Sequence, residues 1–325
     1  MLYKSILETI GKTPLIKCDK LKKRFNLKGD LYGKAEFYNP TFSKKDRIAH
    51  YIIKKARDEG ILKEGQPVVE ATSGNTGIAL SAVCAYYGHP FYAVISEGNS
   101  IERLKIMEMF GTHLVVMKQE DGSYGKVSGN DFEMNLEKAR DMEKKIGAFF
   151  VNQFGNPWNI EAQTITGEEI LEDILKNKLD INIFCDFVGT GGSYQGISKL
   201  LKKEISGIEC NIVEPVNSCP YYEINNKDYK PKPHIIQGGG YGRTDFPVLK
   251  DVKFDNSIFI TDEETTEIMK IIAQEEGIFC SFSSAANCLA TIKCLQKWEA
   301  ENPGEKAKNG LFIFCDTGMK YLSNL

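Results

Sequence analysis

Pro67-Val-Val-Glu-Ala-Thr-Ser-Gly-Asn-Thr-Gly77 reads as a β-strand, a tight polar turn and the opening of a helix that continues to Tyr87. Four small polar side chains in a row with two glycines pack a core poorly. They suit a carboxylate well, because hydroxyls and free N–H groups converge where a helix dipole favours negative charge. The alternative is an elaborate helix cap, which needs only one such residue. Outward from this unit the pattern repeats. Phe91–Ile95, His113–Met117, Ala148–Val151, Ile181–Val188, Ile258–Ile260 and Leu311–Cys315 read as short strands. The segments between them carry helical periodicity, including Phe132–Lys145. Asn99 with Glu102, and Thr261 with Glu264, read as helix N-termini with capping boxes, the second opening a helix to about Glu276. Strands that alternate with helices of 10–15 residues predict an α/β fold with mostly parallel sheet. Strands apolar on both faces predict helices on both sides.

The chain has 325 residues, 41 Lys+Arg, 44 Asp+Glu and a formal net charge of −3. That length predicts two domains. The balanced charge argues against a nucleic-acid-binding surface, which needs a basic stripe. No apolar run approaches the ~18–20 residues that cross a bilayer, and the opening stretch MLYKSILETIGKTPL has no apolar core of a secretory signal. Nine cysteines, an odd number without a C-x-x-C pair, read as reduced, buried residues of a cytoplasmic protein. The four histidines, His50, His89, His113 and His234, lack metal-ligand spacing, so no metal is expected. No G-x-S-x-G or H-E-x-x-H occurs. Residues 119–131, polar with three glycines, read as a surface loop or a lid.

Two further segments carry chemistry. Val188-Gly-Thr-Gly-Gly-Ser-Tyr-Gln-Gly196 joins a strand to a helix, and its glycines let successive N–H groups turn toward an anion. It contains no Lys or Arg, so a phosphate there is expected to be held by amide dipoles and by the Thr190 and Ser193 hydroxyls. It is not a P-loop, and Tyr194 replaces the last glycine of the dinucleotide fingerprint. A nicotinamide-dependent oxidoreductase is therefore a weak rival. Asn39-Pro-Thr-Phe-Ser-Lys-Lys-Asp-Arg47 leads into a helix and puts Lys44 and Lys45 at its first turn. The helix dipole opposes cations there, which should lower a lysine pKa and favour nucleophilic or basic chemistry. The bland alternative is a solvated lysine pair.

Together, in this order, these segments resemble the fold-type-II pyridoxal-phosphate enzymes, in particular the cysteine synthase and cystathionine β-synthase family. The family's opening I-G-N-T-P-L is Ile10–Leu15, its N-P-x-x-S-x-K-D-R is Asn39–Arg47, and its T-S-G-N-T-G is Thr72–Gly77. Its Q-F-x-N-P-x-N is Gln153–Asn159, its G-T-G-G-T is Gly189–Ser193, its V-E-P-x-x-S is Val213–Ser218, and its late S-S doublet and R-Y-L-S end are Ser283-Ser284 and Lys320–Ser323. The resemblance covers almost the whole chain. It implies two domains with twisted, mostly parallel sheets flanked by helices, like the tryptophan synthase β chain. The larger domain would comprise residues 1–40 and 152–325, and the smaller, mobile one residues 41–151. It implies that Lys45 holds pyridoxal 5′-phosphate as a Schiff base and moves the Cα proton. Asn75 would contact the pyridine 3′ oxygen, Gly189, Thr190, Gly191, Gly192 and Ser193 the phosphate, and Ser283 the pyridine nitrogen. Thr72, Ser73, Thr76, Gln153 and Gly238 would bind an amino-acid substrate.

The activity implied is β-replacement on a β-substituted L-alanine, as in making cysteine from an activated serine and sulfide. The alternatives are the sulfide-releasing or lanthionine- and cystathionine-forming direction, or an inactive binding homologue. The family implies a homodimer with a small-molecule substrate, no nucleic acid and no membrane. The sequence departs from the family at Lys44, which replaces a small or apolar residue, and at Tyr241 and Phe282. The two aromatics are expected near the β-substituent and predict a narrow pocket favouring a compact donor such as cysteine.

Overall fold

The computed structural model describes residues 2–72, 74–119, 129–221, 228–249 and 252–325, with the backbone alone for 129–132. The strands are β1 (Leu15–Lys17), β2 (Leu31–Ala35), β3 (Val68–Ala71), β4 (Phe91–Ser96), β5 (His113–Met117), β6 (Phe149–Phe150), β7 (Ile183–Phe187), β8 (Glu209–Pro215), β9 (Ser257–Ile260) and β10 (Gly310–Phe314). The helices are α1 (Asp19–Arg24), α2 (Lys45–Asp58), α3 (Asn75–Tyr87), α4 (Ile101–Met109), α5 (Gly129–Ile146), α6 (Trp158–Asn177), α7 (Gly192–Glu204), α8 (Asp262–Glu276) and α9 (Phe282–Glu301).

The strands form a six-stranded sheet in the order β1-β2-β10-β7-β8-β9 and a four-stranded sheet in the order β5-β4-β3-β6. All pairings are parallel except β1 with β2. Each sheet is packed on both faces, as its apolar strands require. Cys185, Phe187, Phe312 and Phe314 meet Ile268 and Ala286 on one face of the large sheet. On the other face, Phe184, Leu311 and Ile313 meet Ile170 and Ile197. In the small sheet, Val68 and Ile95 pack on Ile52 and Val83, and Val69 and Val94 on Ala139. All nine cysteines are free and buried.

Local signals match the sequence in detail at α8. Thr261 Oγ1 accepts from the Glu264 amide at 3.1 Å, and Glu264 Oε2 accepts from the Thr261 amide at 3.0 Å. They miss by one residue at α4, whose N-cap is Ser100, not Asn99. The Ser100 hydroxyl does not cap the helix. It donates to the Lys320 carbonyl and accepts from Arg103 Nε. Residues 120–128 of the expected surface loop lie outside the described residues.

From β7 the large sheet grows one way through β8 and β9. From β10, on the other side of β7, it runs the other way through β2 and β1. The strand order therefore reverses between β7 and β10. In open α/β sheets ligands bind beyond the carboxyl ends of strands at this reversal. The small sheet is brought against that edge by α2, whose Arg47 is only 5% exposed. Its guanidinium donates to both oxygens of Glu36, at 2.6 and 2.8 Å, and to both of Glu169 on α6, at 2.8 and 2.7 Å. Burial works against the Glu36 carboxylate, but Arg47 outweighs it and holds the pKa below the usual value.

Removing one member of such a buried group costs about 3–5 kcal/mol, because the partner charge is left uncompensated. Arg47→Met is expected to lower the urea-unfolding free energy by that amount, and adding Glu36→Gln should restore part of it. A loss near zero in the single variant refutes the role given to Arg47.

Candidate active site

Four helix starts and the ends of three parallel strands converge on one cleft. The turn after β3 leads into α3, the turn after β7 into α7, the segment after β10 runs beside the start of α9, and α2 begins opposite them. The cleft has Lys44, Lys45, Asn75, Ser193, Ser283 and Asp316 on its walls. Gly189, Thr190, Gly191 and Gly238 also line it. Gly192 lies behind them as the first residue of α7.

The glycine turn is compact because side chains do not fit. Gly191 has φ +84°, and a Cβ there would meet Leu249 at 1.7 Å. A Cβ on Gly192 would lie 2.0 Å from Asn159 Oδ1, and one on Gly189 2.2 Å from the Gly238 carbonyl oxygen. Thr190 Oγ1 accepts from Asn159 Nδ2 at 3.0 Å. The turn thus holds its amides at the amino end of α7, where an anion is favoured.

The segment before α2 is fixed to the end of β10. The Lys44 amide donates to the Cys315 carbonyl at 2.9 Å, and Ser43 bridges Asp316. This places both lysines in the cleft and divides their chemistry. Lys45 has no ion-pair partner among the described residues. Burial, and then the charge of Lys44, lower its pKa to about 8. Lys44 donates from Nζ to Asp186 Oδ1 at 3.0 Å and to Ser193 Oγ at 2.8 Å. Burial opposes its charge, yet Asp186 outweighs burial and the pKa is raised. Lys44 is buried and paired, not solvated. The glycine loop itself contains no cation, but Lys44, 149 positions from Ser193, reaches it.

The other expected residues are distributed as follows. Asn75 lines the cleft, and its amide donates to Asp316 Oδ2 at 2.7 Å and to the Tyr321 hydroxyl at 3.1 Å, while Lys320 donates to its oxygen at 2.9 Å. Ser283 lines the cleft beside Ser281, with 3.3 Å between the hydroxyls. Thr72, Thr76 and Gln153 are buried together at the amino end of α3, just behind the cleft wall. Thr76 donates to Gln153 Oε1 at 2.7 Å, Gln153 donates to the Ala71 carbonyl at 3.0 Å, and Thr72 Oγ1 accepts from the amides of Gly74 and Gly77. The Thr72 hydroxyl is thus the cap of this turn as well as a candidate donor. Ser73 lies outside the described residues.

The two aromatics expected at the β-substituent are not on the cleft wall. Phe282 is 2% exposed in the core and packs edge-on against Tyr321 at 5.8 Å. Tyr241 packs on Phe154 and Phe246. Their backbone positions are near the site, but their side chains turn into apolar clusters, so they do not narrow the cleft.

Sequence reasoning missed three contributors. Asp316 keeps Oδ1 buried without a hydrogen bond among the described residues. Arg103, 1% exposed, lies under the Gly74 turn, bonds Gln237 and stacks on the Tyr321 ring at 4.9 Å. Asp186 sits in the middle of β7. Arg103 follows Glu102 on a short helix and reads as surface charge, and an isolated Asp in an apolar strand has no local partner to announce it.

Residues 6–316 match the family described as pyridoxal-phosphate dependent enzyme. The chain is 34% identical over 320 residues to a cysteine synthase of Staphylococcus aureus (strain Mu50 / ATCC 700699), covering 98% of this chain and 95% of that one. Among solved structures it is similar to O-acetyl serine sulfhydrylase isoform 3 from Entamoeba histolytica, with TM-score 0.85, 33% identity and coverage of 99% and 91%. It is also similar to a hydrogen sulfide-producing enzyme from Fusobacterium nucleatum, with TM-score 0.84, 32% identity and coverage of 99% and 100%. With its glycine turn, its paired lysines and its two parallel sheets, the chain belongs to the fold-type-II pyridoxal-phosphate-dependent enzymes, in the cysteine synthase and cystathionine β-synthase family.

Proposed function

We propose that the protein catalyses β-replacement on a β-substituted L-alanine in the manner of a cysteine synthase, exchanging the substituent of an activated serine for sulfide. The observation that carries this reading is the pair of features in one cleft: the amine of Lys45, without an ion-pair partner among the described residues, and the glycine turn at α7. The cleft suits pyridoxal 5′-phosphate on its own geometry. The turn at the start of α7 suits an anion, the amine of Lys45, its pKa lowered to about 8, lines the same cleft, and the buried Asp316 Oδ1 has no hydrogen bond among the described residues. When bound, the cofactor supplies an electron sink for the bond broken at Cα.

On this reading Gly189, Thr190, Gly191, Gly192 and Ser193 hold the phosphate and Asn75 the ring oxygen. Ser283 would face the ring nitrogen and, being neutral, would leave it largely unprotonated. That weakens the sink in a way that suits β-elimination more than transamination. Lys45 carries the cofactor and later takes and returns the Cα proton. Thr72, Ser73, Thr76, Gln153 and Gly238 orient the substrate carboxylate. Residues 41–151 move as a unit against 1–40 and 152–325, opening the cleft and letting the Thr72, Thr76 and Gln153 donors exchange their mutual bonds for the substrate. We further propose a homodimer working in the cytoplasm. The likeness to the hydrogen sulfide-producing enzyme supports a second reading, in which cysteine is the donor and sulfide leaves.

Three outcomes are expected. Borohydride reduction and peptide mapping should place the pyridoxyl adduct on Lys45, and an adduct on Lys44 refutes the division of roles. Cofactor capture by the cofactor-free chain should rise with pH to a midpoint near 8, because the reacting amine is the neutral form and its pKa is lowered to about 8. An ordinary lysine would place that midpoint near 10.4. Product analysis with O-acetylserine plus sulfide should give cysteine. If sulfide released from cysteine greatly exceeds it, the second reading is the correct one.

A further inference from the structure

Asp186 is the one carboxylate of the strand Ile183-Phe-Cys-Asp-Phe187, all five residues of which are buried. A buried ion pair is often no more stable than apolar residues of the same size, so Lys44 and Asp186 call for a reason beyond stability. Their orientation supplies one. Asp186, 0% exposed, also accepts from Asn287 Nδ2 at 3.1 Å and from the Ser193 hydroxyl, and it is not on the cleft wall. Lys44 and Ser193 are on the wall. The pair therefore turns its positive member toward the cleft and its negative member away.

The hydrogen bonds sharpen this. A serine hydroxyl has one proton, and that of Ser193 goes to Asp186, while its oxygen accepts from Lys44. Ser193 thus has no proton left for an anion at the amino end of α7. On this side of the cleft the donors that remain are loop amides and the Thr190 hydroxyl, and the ammonium of Lys44, whose three N–H groups reach Asp186 Oδ1, Asp186 Oδ2 and Ser193, can turn one of them to an anion by giving up its longest contact, 3.3 Å to Asp186 Oδ2.

We propose that Lys44, oriented by Asp186 and Ser193, is a binding residue for the cofactor's phosphate, adding a charge-assisted contact to the amides of the glycine turn. This rests on the placement of the phosphate at Gly189–Ser193. It makes Asp186 a positioning residue, since it acts through Lys44. The adjacent lysines then have separate duties: Lys44 stays charged for the phosphate, and Lys45 gives up its proton to react.

The test compares pyridoxal 5′-phosphate with pyridoxal, which lacks the phosphate. The full chain is loaded with either, and its affinity and release rate are followed by the absorbance of the bound chromophore. Lys44→Met is expected to weaken pyridoxal 5′-phosphate by about 10- to 100-fold, the range for a hydrogen bond to a charged group, with pyridoxal little changed. The double variant Lys44→Met, Asp186→Asn removes both charges and keeps the side-chain volumes similar. It should give the same selective loss even if the single variant folds poorly. If both ligands weaken equally, or neither does, Lys44 only packs the wall and the proposal fails. Thr190→Val reads the loop separately. A phosphate preference unchanged there overturns the loop placement itself. A preference reduced there but intact in both Lys44 variants overturns only the role of Lys44.

Discussion

The guanidinium of Arg47, forked between the carboxylates of Glu36 and Glu169, holds the first turn of α2 against the large sheet, and the position of both active-site lysines follows from it. Glu36 comes just after β2 and also accepts from the Thr13 hydroxyl and the Asn39 amide. Glu169 comes from α6. One cation therefore gathers three separate parts of the chain. Two residues upstream, Lys45 begins the helix, and the Lys44 amide is already pinned to the Cys315 carbonyl. A bidentate arginine suits this role because its planar donors fix direction as well as distance.

Around that fastening, helix starts set the sign of the local field. An anion is favoured beside the first turn of α7, and a cation is disfavoured beside the first turn of α2. The protein uses both tendencies. The glycine turn presents amides at α7, while Lys45 is enclosed next to another cation and its pKa falls to about 8. Lys44 escapes the same fate chiefly because Asp186 lies 3.0 Å away. Two neighbouring lysines on one turn thus titrate in opposite directions, and the difference lies in their partners. Lys320, on the far side of Asn75, is also lowered to about 8 by burial.

The donors behind the cleft illustrate a second constraint. Buried polar groups need partners, and Thr72, Thr76 and Gln153 satisfy one another and the backbone. Gly74, with φ +127° and Arg103 packed where its Cβ would be, lets the turn lie against Arg103. That links the α3 turn to Gln237 and Tyr321 across the cleft.

The sequence by itself determined the alternation of strands and helices, the glycine turn and the capping box at Thr261. All of these are local, because hydrogen bonds and periodicity over a few residues leave a readable pattern. Less was legible where a segment is stabilised from outside. β8, Glu209-Cys-Asn-Ile-Val-Glu-Pro215, has no clean apolar pattern because Asn211 and Glu214 are satisfied by Asn256, Ser257 and Tyr221. Only the tertiary structure decided that Phe282 turns into the core, that Arg103 is buried under Gly74, and that Lys44 meets Asp186 across 142 positions. Such meetings are set by strand order and by which crossover passes which sheet face. An ion pair between distant residues leaves no periodic trace in the chain that carries it.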